Sequence, residues 1–157
     1  MRNGIAVELK VLDERVRVWG LPRYQSAMAA AVDLFACLAE ALVLAPQTAA
    51  QLVPAGIAIH IGDPNVAAII VPRSGLGHAK GLVLGNSVGV LDADYMGPVM
   101  ISVWNRSEPG SEPIVIEPGD RIAQLMFVPV VRPAFELVDD FSVLSLRGAG
   151  GFGSTGR

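Results

Sequence analysis

The sequence predicts an all-β domain, either a barrel or a sandwich, and three observations lead to that prediction. Short runs rich in β-branched residues recur along the chain, and Gly or Pro separates them roughly every 8–12 residues, as turns separate short strands. In residues 57–61 isoleucine alternates with Ala58 and His60, which is the period of a half-buried strand. Val99, Ile101 and Val103 share one face in the same way. The predicted strands lie in the runs VELKVL, AGIAIHI, VAAIIV, GPVMISVWN, PIVIEPGD and IAQLMFVPVV.

The composition is that of one globular domain. The chain has 157 residues, of which 52% are hydrophobic and 17% charged, enough apolar surface to fill a core and too much for a disordered protein. No internal repeat and no linker divides it. The formal net charge of −3 argues against a nucleic-acid-binding protein, which would normally be basic. The low charge content favours apolar surface that is buried between subunits.

The single cysteine and the most apolar segments indicate the cellular compartment of the protein. Cys37 has no partner for an intrachain disulfide and is expected to fill the core, which favours a reducing, cytoplasmic environment. Charged residues interrupt the first fourteen positions, so no signal peptide is predicted. The most apolar window, residues 27–44, contains Asp33 and Glu40 and is not a membrane span.

Two windows favour helix over strand. Residues 26–44 are rich in Ala and Leu and begin with Ser26, a possible N-cap, so propensity alone predicts a helix there. A second, short helix is predicted near residues 74–81, where glycines limit its length.

The segment 71–81, VPRSGLGHAKG, is the first candidate for site chemistry. Pro72 ends a strand, and Arg73 then supplies a fixed positive charge. The backbone N–H groups and the hydroxyl of Ser74 and Gly75 can bind an anion. The alternative is an ordinary turn after a strand.

The segment 85–97, GNSVGVLDADYMG, reads as two β-like runs around turn residues, and so as a hairpin. Asp92 and Asp94 precede Tyr95, and paired carboxylates can bind a metal or act as a base. A solvated turn explains the same residues equally well.

The segment 117–130, EPGDRIAQLMFVPV, places polar residues in an apolar strand. Asp120 and Arg121 are expected to pair. Gln124 must find a hydrogen-bond partner, either a structural one or a ligand.

The glycine-rich segment 147–157 is either a disordered tail or an arm that orders when a ligand binds.

Five stretches, in order and spacing, resemble the five motifs of the trimeric dUTP diphosphatases (dUTPases), especially the bacterial ones. The resemblance covers residues 7–156 and implies a distorted β jelly-roll barrel that assembles as a homotrimer, with each site built from more than one chain. It divides the chain into a barrel domain, 1–146, and an arm, 147–157, and it implies that window 26–44 is mostly extended. Ala31 replaces the usual glycine of the first motif, and Met96 a charged or amide residue. The motifs are AAVDLFA (30–36), PRSGLG (72–77), GNSVGVLDADYMG (85–97), GDRIAQL (119–125) and RGAGGFGSTG (147–156).

The resemblance implies hydrolysis of dUTP to dUMP and diphosphate with Mg²⁺. Asp92 would be the general base that activates water, and the backbone of 86–92 would read the uracil edge. Mg²⁺ would be held largely through phosphates and water, with Asp33 and Gln124 in the second shell. Further substrate contacts would come from Arg73, Ser74, Gly75, Asn86, Val90, Leu91, Tyr95, Met100, Gln124, Arg147, Phe152, Gly153, Ser154 and Thr155.

Two other activities fit the same fold. One is a dCTP deaminase-like enzyme, and the other is a nucleotide-binding regulatory module without turnover. The role of Asp94 is open, since a structural role is as consistent with its position as a catalytic one. The partners expected are dUTP and two further copies of the chain, with no nucleic acid and no membrane.

Overall fold

Ten short strands carry the fold, which is described here from a computed structural model for residues 4–143 and residue 148. They form two four-stranded sheets, with strand orders β1-β4-β8-β6 and β2-β10-β5-β7, and a two-stranded sheet, β3-β9. Every strand pair is antiparallel, so the all-β prediction is confirmed. The strands are β1 Glu8–Val11, β2 Val32–Phe35, β3 Leu42–Leu44, β4 Gln51–His60, β5 Val66–Pro72, β6 Leu82–Leu84, β7 Gly89–Leu91, β8 Pro98–Asn105, β9 Ile114–Ile116 and β10 Arg121–Pro129.

The core is built by the alternating residues that the sequence analysis identified. On β8, Val99, Ile101 and Val103 are completely buried while the residues between them are partly exposed. On β4 and just after it, the isoleucines of 57–61 are buried as well. Side chains from both four-stranded sheets join one hydrophobic cluster, which is how two packed β layers bury a shared core.

A short helix, α1 (Arg15–Trp19), closes one side of the core, and the sequence analysis did not predict it. Arg15 forms an ion pair with Asp13 at 2.7 Å and donates to the carbonyl of Leu38, which ties the helix to the β2–β3 loop. The hydrogen bonds that Arg15 donates to Asp13, from its side chain and from its backbone N–H, hold the pKa of the Asp13 carboxyl well below its usual range. Val16 is buried beneath the helix, against Gly56.

Cys37 fills the core, as predicted. Its side chain is buried, and this burial raises the pKa of the thiol. The Sγ atom lies beside the backbone of Gly56, so the space at Gly56 is closed by both Val16 and Cys37.

The helix predicted from propensity over 26–44 is wrong. The window contains β2 and β3 instead, joined by irregular segments. The strand β2 pairs with β10, and this tertiary pairing outweighs the local helical preference of Ala and Leu. The short helix predicted near 74–81 is confirmed as one turn of π-helix, Leu76–Lys80, which ends at Gly81 with φ of 74°.

The hairpin predicted for 85–97 is also wrong. The strand β6 pairs with β8 in the first sheet, whereas β7 pairs with β5 in the second. The turn between them, in which Ser87 N–H donates to the Leu84 carbonyl at 3.1 Å, carries the chain from one sheet to the other. Each of these short strands pairs with a longer strand, β8 for β6 and β5 for β7. The turn residues between β6 and β7 do not predict these distant pairings.

The segment 130–143 follows β10 without a helix or strand and leaves large apolar side chains in solvent. Phe135 is 97% exposed and Leu137 100% exposed, and Phe141 is exposed as well. Within the residues described, no helix is both long and apolar enough to cross a membrane.

Gly56→Ala is expected to destabilise the protein more than Gly62→Ala. Both glycines have φ near +70°, so an alanine meets the same backbone strain at either position. At Gly56 the new Cβ would lie 2.3 Å from Val16, whereas at Gly62 the nearest atom is 3.4 Å away. The extra overpacking should cost about 1–3 kcal/mol of unfolding free energy, measured by urea denaturation at one protein concentration. Equal losses in the two variants would contradict this reading of the core.

Candidate active site

The first part of the site is a group of polar side chains on three adjacent strands. Asp33 on β2 lies opposite Gln124 on β10, which lies opposite Val71 on β5, two residues before Arg73. Asp33 is only 4% exposed, so its charge is removed from water and must be paired within the protein.

Both oxygens of this carboxylate have partners. Gln124 Nε2 donates to Asp33 Oδ1 at 3.2 Å, and Arg73 Nε forms an ion pair with the same oxygen at 3.2 Å. Arg121 Nη1 donates to Oδ2, also at 3.2 Å. We call Asp33, Arg73, Arg121 and Gln124 the Asp33 cluster. It joins three residues that the sequence analysis assigned to the site and one, Arg121, that it did not.

The expected pair between Asp120 and Arg121 does not form. Asp120 instead accepts a hydrogen bond from the Glu117 backbone N–H at 2.9 Å, which closes the turn before β10. Arg121 is not paired with Asp120 and instead contacts Asp33 on the neighbouring strand β2. The only signal for this in the sequence was its place in the GDRIAQL stretch, three residues before Gln124.

A bulge in β10 brings Arg121 and Gln124 to the same carboxylate. Residues three apart on a regular strand point to opposite faces. The register of β10 against β2 shifts between Arg121 and Ala123, and such a shift reverses the facing of the residues before it. Ile122 and Ala123 are accordingly both buried, although they are consecutive.

The loop after β5 places an exposed backbone next to the cluster. Ser74 and Gly75 precede the π-helix, and no atom lies within 4 Å of the position a Cβ would take at Gly75. Gly77 N–H donates to the Arg73 carbonyl at 2.9 Å, and Arg106 donates to the Gly77 carbonyl at 3.0 Å, so the loop is braced from both sides. Two guanidinium groups for one carboxylate, beside open backbone, make a site that suits an anion.

The second part of the site surrounds Asp92. Asp92 and Asp94 line a cavity of about 660 Å³, together with Val90, His60, Arg132 and residues of the β4–β5 connection. Gly62 N–H donates to the Ala93 carbonyl at 2.9 Å, which anchors the acidic turn to the end of β4. The cavity is wide enough for a small organic ligand.

Tyr95 is held in one position close to this turn. Its backbone N–H donates to the Asp92 carbonyl at 3.1 Å, and its hydroxyl donates to the Pro98 carbonyl at 3.0 Å. The ring lies over Gly97, where a Cβ would come within 2.4 Å of the hydroxyl oxygen. The side chain is exposed, and the hydrogen bond of its hydroxyl fixes its tip. Met100 lies further along on β8, half-buried.

The remaining residues of the 86–92 segment lie in an exposed turn and on β7, an edge strand of the second four-stranded sheet. Asn86 is exposed in the turn between β6 and β7, and its carbonyl accepts a hydrogen bond from Val88 N–H at 2.7 Å. Val90 and Leu91 belong to β7, the last strand of its sheet. One side of the β7 backbone pairs with β5, and the other side is not paired with any strand among the residues described.

The Asp33 cluster and Asp92 lie at opposite ends of β5. Leu91, next to Asp92, pairs with Ala68, and Arg73 is five residues further along the chain from Ala68. At about 3.3 Å per residue this separation is roughly 17 Å, and the antiparallel direction of β7 carries Asp92 still further away. The structure does not bring Asp92 together with Arg73 within one chain.

The sequence predicted that Mg²⁺ binds close to the carboxylates of the candidate site. No group of three or more His, Cys, Asp or Glu side chains is placed to hold a metal ion among residues 4–143. Both oxygens of Asp33 already accept from nitrogen donors, which leaves this carboxylate poorly suited to ligate a metal directly. The predicted contacts from Arg147, Phe152, Gly153, Ser154 and Thr155 lie outside the described residues.

Comparison with known proteins agrees with the motif resemblance. The family model for dUTPase matches residues 17–156. The deoxyuridine 5'-triphosphate nucleotidohydrolase of Erwinia tasmaniensis is 56% identical over 152 residues, which cover 96% of this chain and 97% of that protein. That of Tolumonas auensis is 55% identical with the same coverage.

Solved structures show the same fold. The dUTPase of Staphylococcus bacteriophage 80alpha with bound dUPNHPP has a TM-score of 0.81 and 27% identity, covering 97% of this chain and 99% of that one. A mutant dUTPase from phage phi11 of S. aureus, described with a structural Mg(II) ion, has a TM-score of 0.75 and 24% identity, covering 88% of this chain and 99% of that one. With the family model matching most of the sequence, this chain belongs to the dUTPase family.

Proposed function

We propose that the chain hydrolyses dUTP to dUMP and diphosphate, which lowers the dUTP level and supplies dUMP for thymidylate synthesis. The observation that carries the proposal is the Asp33 cluster, where two guanidinium groups share one buried carboxylate beside an exposed loop. A positive cluster of this kind suits a triphosphate. The Erwinia relative, at 56% identity, is named a deoxyuridine 5'-triphosphate nucleotidohydrolase, which supports dUTP as the substrate.

Asp92 is the proposed general base. Its carboxylate accepts a proton from a water molecule whose oxygen attacks the α-phosphorus, opposite the oxygen that bridges to the β-phosphorus. The bond to that bridging oxygen breaks, and diphosphate leaves. The position of Asp92 in a cavity beside an anchored turn supports this role, because a base must be held in line with the bond that breaks.

The backbone of 86–92 is the proposed reader of uracil. Uracil presents an acceptor, a donor and an acceptor along one edge, and a strand backbone can match them with N–H, C=O and N–H. The unpaired side of β7 supports this role, since an edge strand offers free backbone groups for a ligand. Cytosine would place a donor against a donor, and buried polar groups left unpaired reject such a base strongly.

Tyr95 and Met100 are the proposed lining for the sugar. The ring of Tyr95 is fixed by its hydrogen bond to the Pro98 carbonyl, so it cannot swing away from a bulkier ligand at low cost. A ribose 2′-hydroxyl would clash with it. This fixed ring supports selection of deoxyribose.

Arg73, Ser74 and Gly75 are the proposed grip on the α- and β-phosphates. Mg²⁺ would be held largely by the phosphates and water rather than by protein side chains, which is its usual preference. It would supply charge neutralisation for the leaving diphosphate. Asp33 and Gln124 are proposed to lie in the second shell of the ion, where they act through water or through direct hydrogen bonds to phosphate.

Each site is proposed to be shared between copies of the chain in a homotrimer. The separation of Asp92 from Arg73 supports sharing, because one α-phosphorus cannot contact both side chains of a single chain. The exposed Phe135, Leu137 and Phe141 support an assembly that covers them.

The glycine-rich segment 147–157 is proposed to close over the bound nucleotide as an arm, with residues 1–146 forming the barrel domain. Arg147 would contact the γ-phosphate, Phe152 would stack on uracil, and Gly153, Ser154 and Thr155 would cap the phosphates. Closure over a bound substrate shields the site from bulk solvent, while the attacking water stays beside Asp92. A cytoplasmic location is proposed from the buried, free Cys37. The net charge of −3 supports the proposal of no nucleic-acid partner, and Asp33 and Glu40 in the most apolar window support that of no membrane partner.

The substrate assay tests the proposed function directly. The purified protein should release diphosphate from dUTP with Mg²⁺, and much less from dTTP, dCTP or UTP, because the base edge and the 2′-position are both read. Ammonia release from dCTP would indicate the deaminase instead. Nucleotide binding without release of either product would indicate a regulatory module. Metal-free buffer is the control for the role of Mg²⁺.

Asp92→Asn should lose turnover by about 10²–10⁴ while still binding a non-hydrolysable dUTP analogue, because the amide keeps the shape but cannot accept a proton. Initial rates and calorimetric binding measure the two effects separately. Asp94→Asn, on the same turn, is the matched comparison. Turnover of Asp92→Asn within about tenfold of the wild type would show that another group is the base.

Mixing two inactive variants should restore activity if sites are shared. Asp92→Asn and Arg73→Gln are each expected to be inactive, and the mixture is unfolded and refolded together so that subunits exchange. With Asp92 and Arg73 of one site on different chains, about one quarter of the sites in random trimers receive both intact residues. Diphosphate release is compared with that of each variant refolded alone. A mixture no more active than its components would place the whole site in one chain.

A further inference from the structure

Arg121 sets the net charge of the Asp33 cluster. Without it, Arg73 and Asp33 would form a neutral pair, and the positive charge offered to a ligand would be largely cancelled. With it, two guanidinium groups face one carboxylate and the cluster carries a net charge of +1. One carboxylate shared by two arginines cancels only one of their two positive charges, and the other remains to attract an anion.

The two arginines are not equivalent in this arrangement. The side chain of Arg73 is 31% exposed and that of Arg121 is 48% exposed, so exposure does not distinguish them, but their contacts do. Arg73 contacts Asp33 through Nε and the Arg121 carbonyl through Nη1. A guanidinium has five N–H donors, so most of those on Arg73 remain for phosphate oxygens. Arg121 contacts the opposite oxygen of Asp33 and supports Arg73 through its own backbone carbonyl.

We propose that Arg121 is a positioning residue for triphosphate binding: it neutralises Asp33, so that Arg73 is held in place yet keeps its charge for the phosphates. The inference rests on the proposed function, because it assumes that the anion at Arg73 is the triphosphate of dUTP. The proposal also assigns a role to the bulge in β10. Without this bulge, Arg121 would point to the opposite face of the sheet from Asp33.

The test neutralises charges within the Asp33 cluster, first one and then two. Arg121→Gln leaves Arg73 and Asp33 as a neutral pair, so affinity for a non-hydrolysable dUTP analogue with Mg²⁺ should fall about tenfold. The double variant D33N/R121Q restores a net charge of +1, and it should bind the analogue at least about threefold more tightly than R121Q alone. Affinity is measured by calorimetry at low and moderate salt, and the difference should shrink as salt rises.

Several comparisons keep the outcome clear. Arg121→Lys keeps the charge without the planar fork and should bind within about threefold of the wild type, which also covers the case that R121Q does not fold. Arg17→Gln is the matched control, because Arg17 lies on the exposed side of α1 in an ion pair with Glu14. Thermal unfolding of each variant identifies a merely structural effect.

R121Q binding within about twofold of the wild type would overturn the proposal. So would a double variant no tighter than R121Q, since that result is expected if Arg121 contacts phosphate itself or only supports the fold. A tenfold loss in R121K would overturn it as well. The proposed function fails separately, if the wild-type protein releases no diphosphate from dUTP.

Discussion

The buried carboxylate of Asp33 is the constraint on which the rest of the site depends. A charge removed from water in the core would be costly alone, and here it is matched by two arginines and one amide. Those partners come from β10 and from the end of β5, so one side chain ties three strands of a sheet together. The same contacts that satisfy Asp33 also fix the orientation of Arg73. The proposed anion binding is therefore linked to stability at this position.

The length of β5 is the second constraint, because it separates the two parts of the proposed active site. The anion cluster lies at one end, and the acidic turn of Asp92 at the other. A single chain thus holds the two groups of residues proposed to form one site too far apart to act together. This geometry makes assembly part of the catalytic mechanism proposed here, and it agrees with a surface on which residues 131–143 leave aromatic and aliphatic side chains in solvent.

Local pattern predicted the strands well wherever one face of a strand meets the core. The alternation at 57–61 and 99–103 was read correctly, because burial on one face of a sheet imposes a period of two on the sequence. The short helix near Leu76 was also read correctly. The window 26–44 was not, since Ala and Leu prefer helix only when no strand partner competes, and β10 provides one for β2.

The sequence by itself determined the strand-rich fold class, the core role of Cys37 and, through its five motifs, the family and the candidate residues. Tertiary structure alone decided which strands pair, and so it decided that β6 and β7 belong to different sheets rather than to one hairpin. It also decided that Arg121 joins Asp33 rather than Asp120, through a bulge of one residue in β10. Register and bulges depend on the partner strand, which lies far away in the sequence. The residue pattern along one strand therefore does not predict which strand it pairs with or in which register.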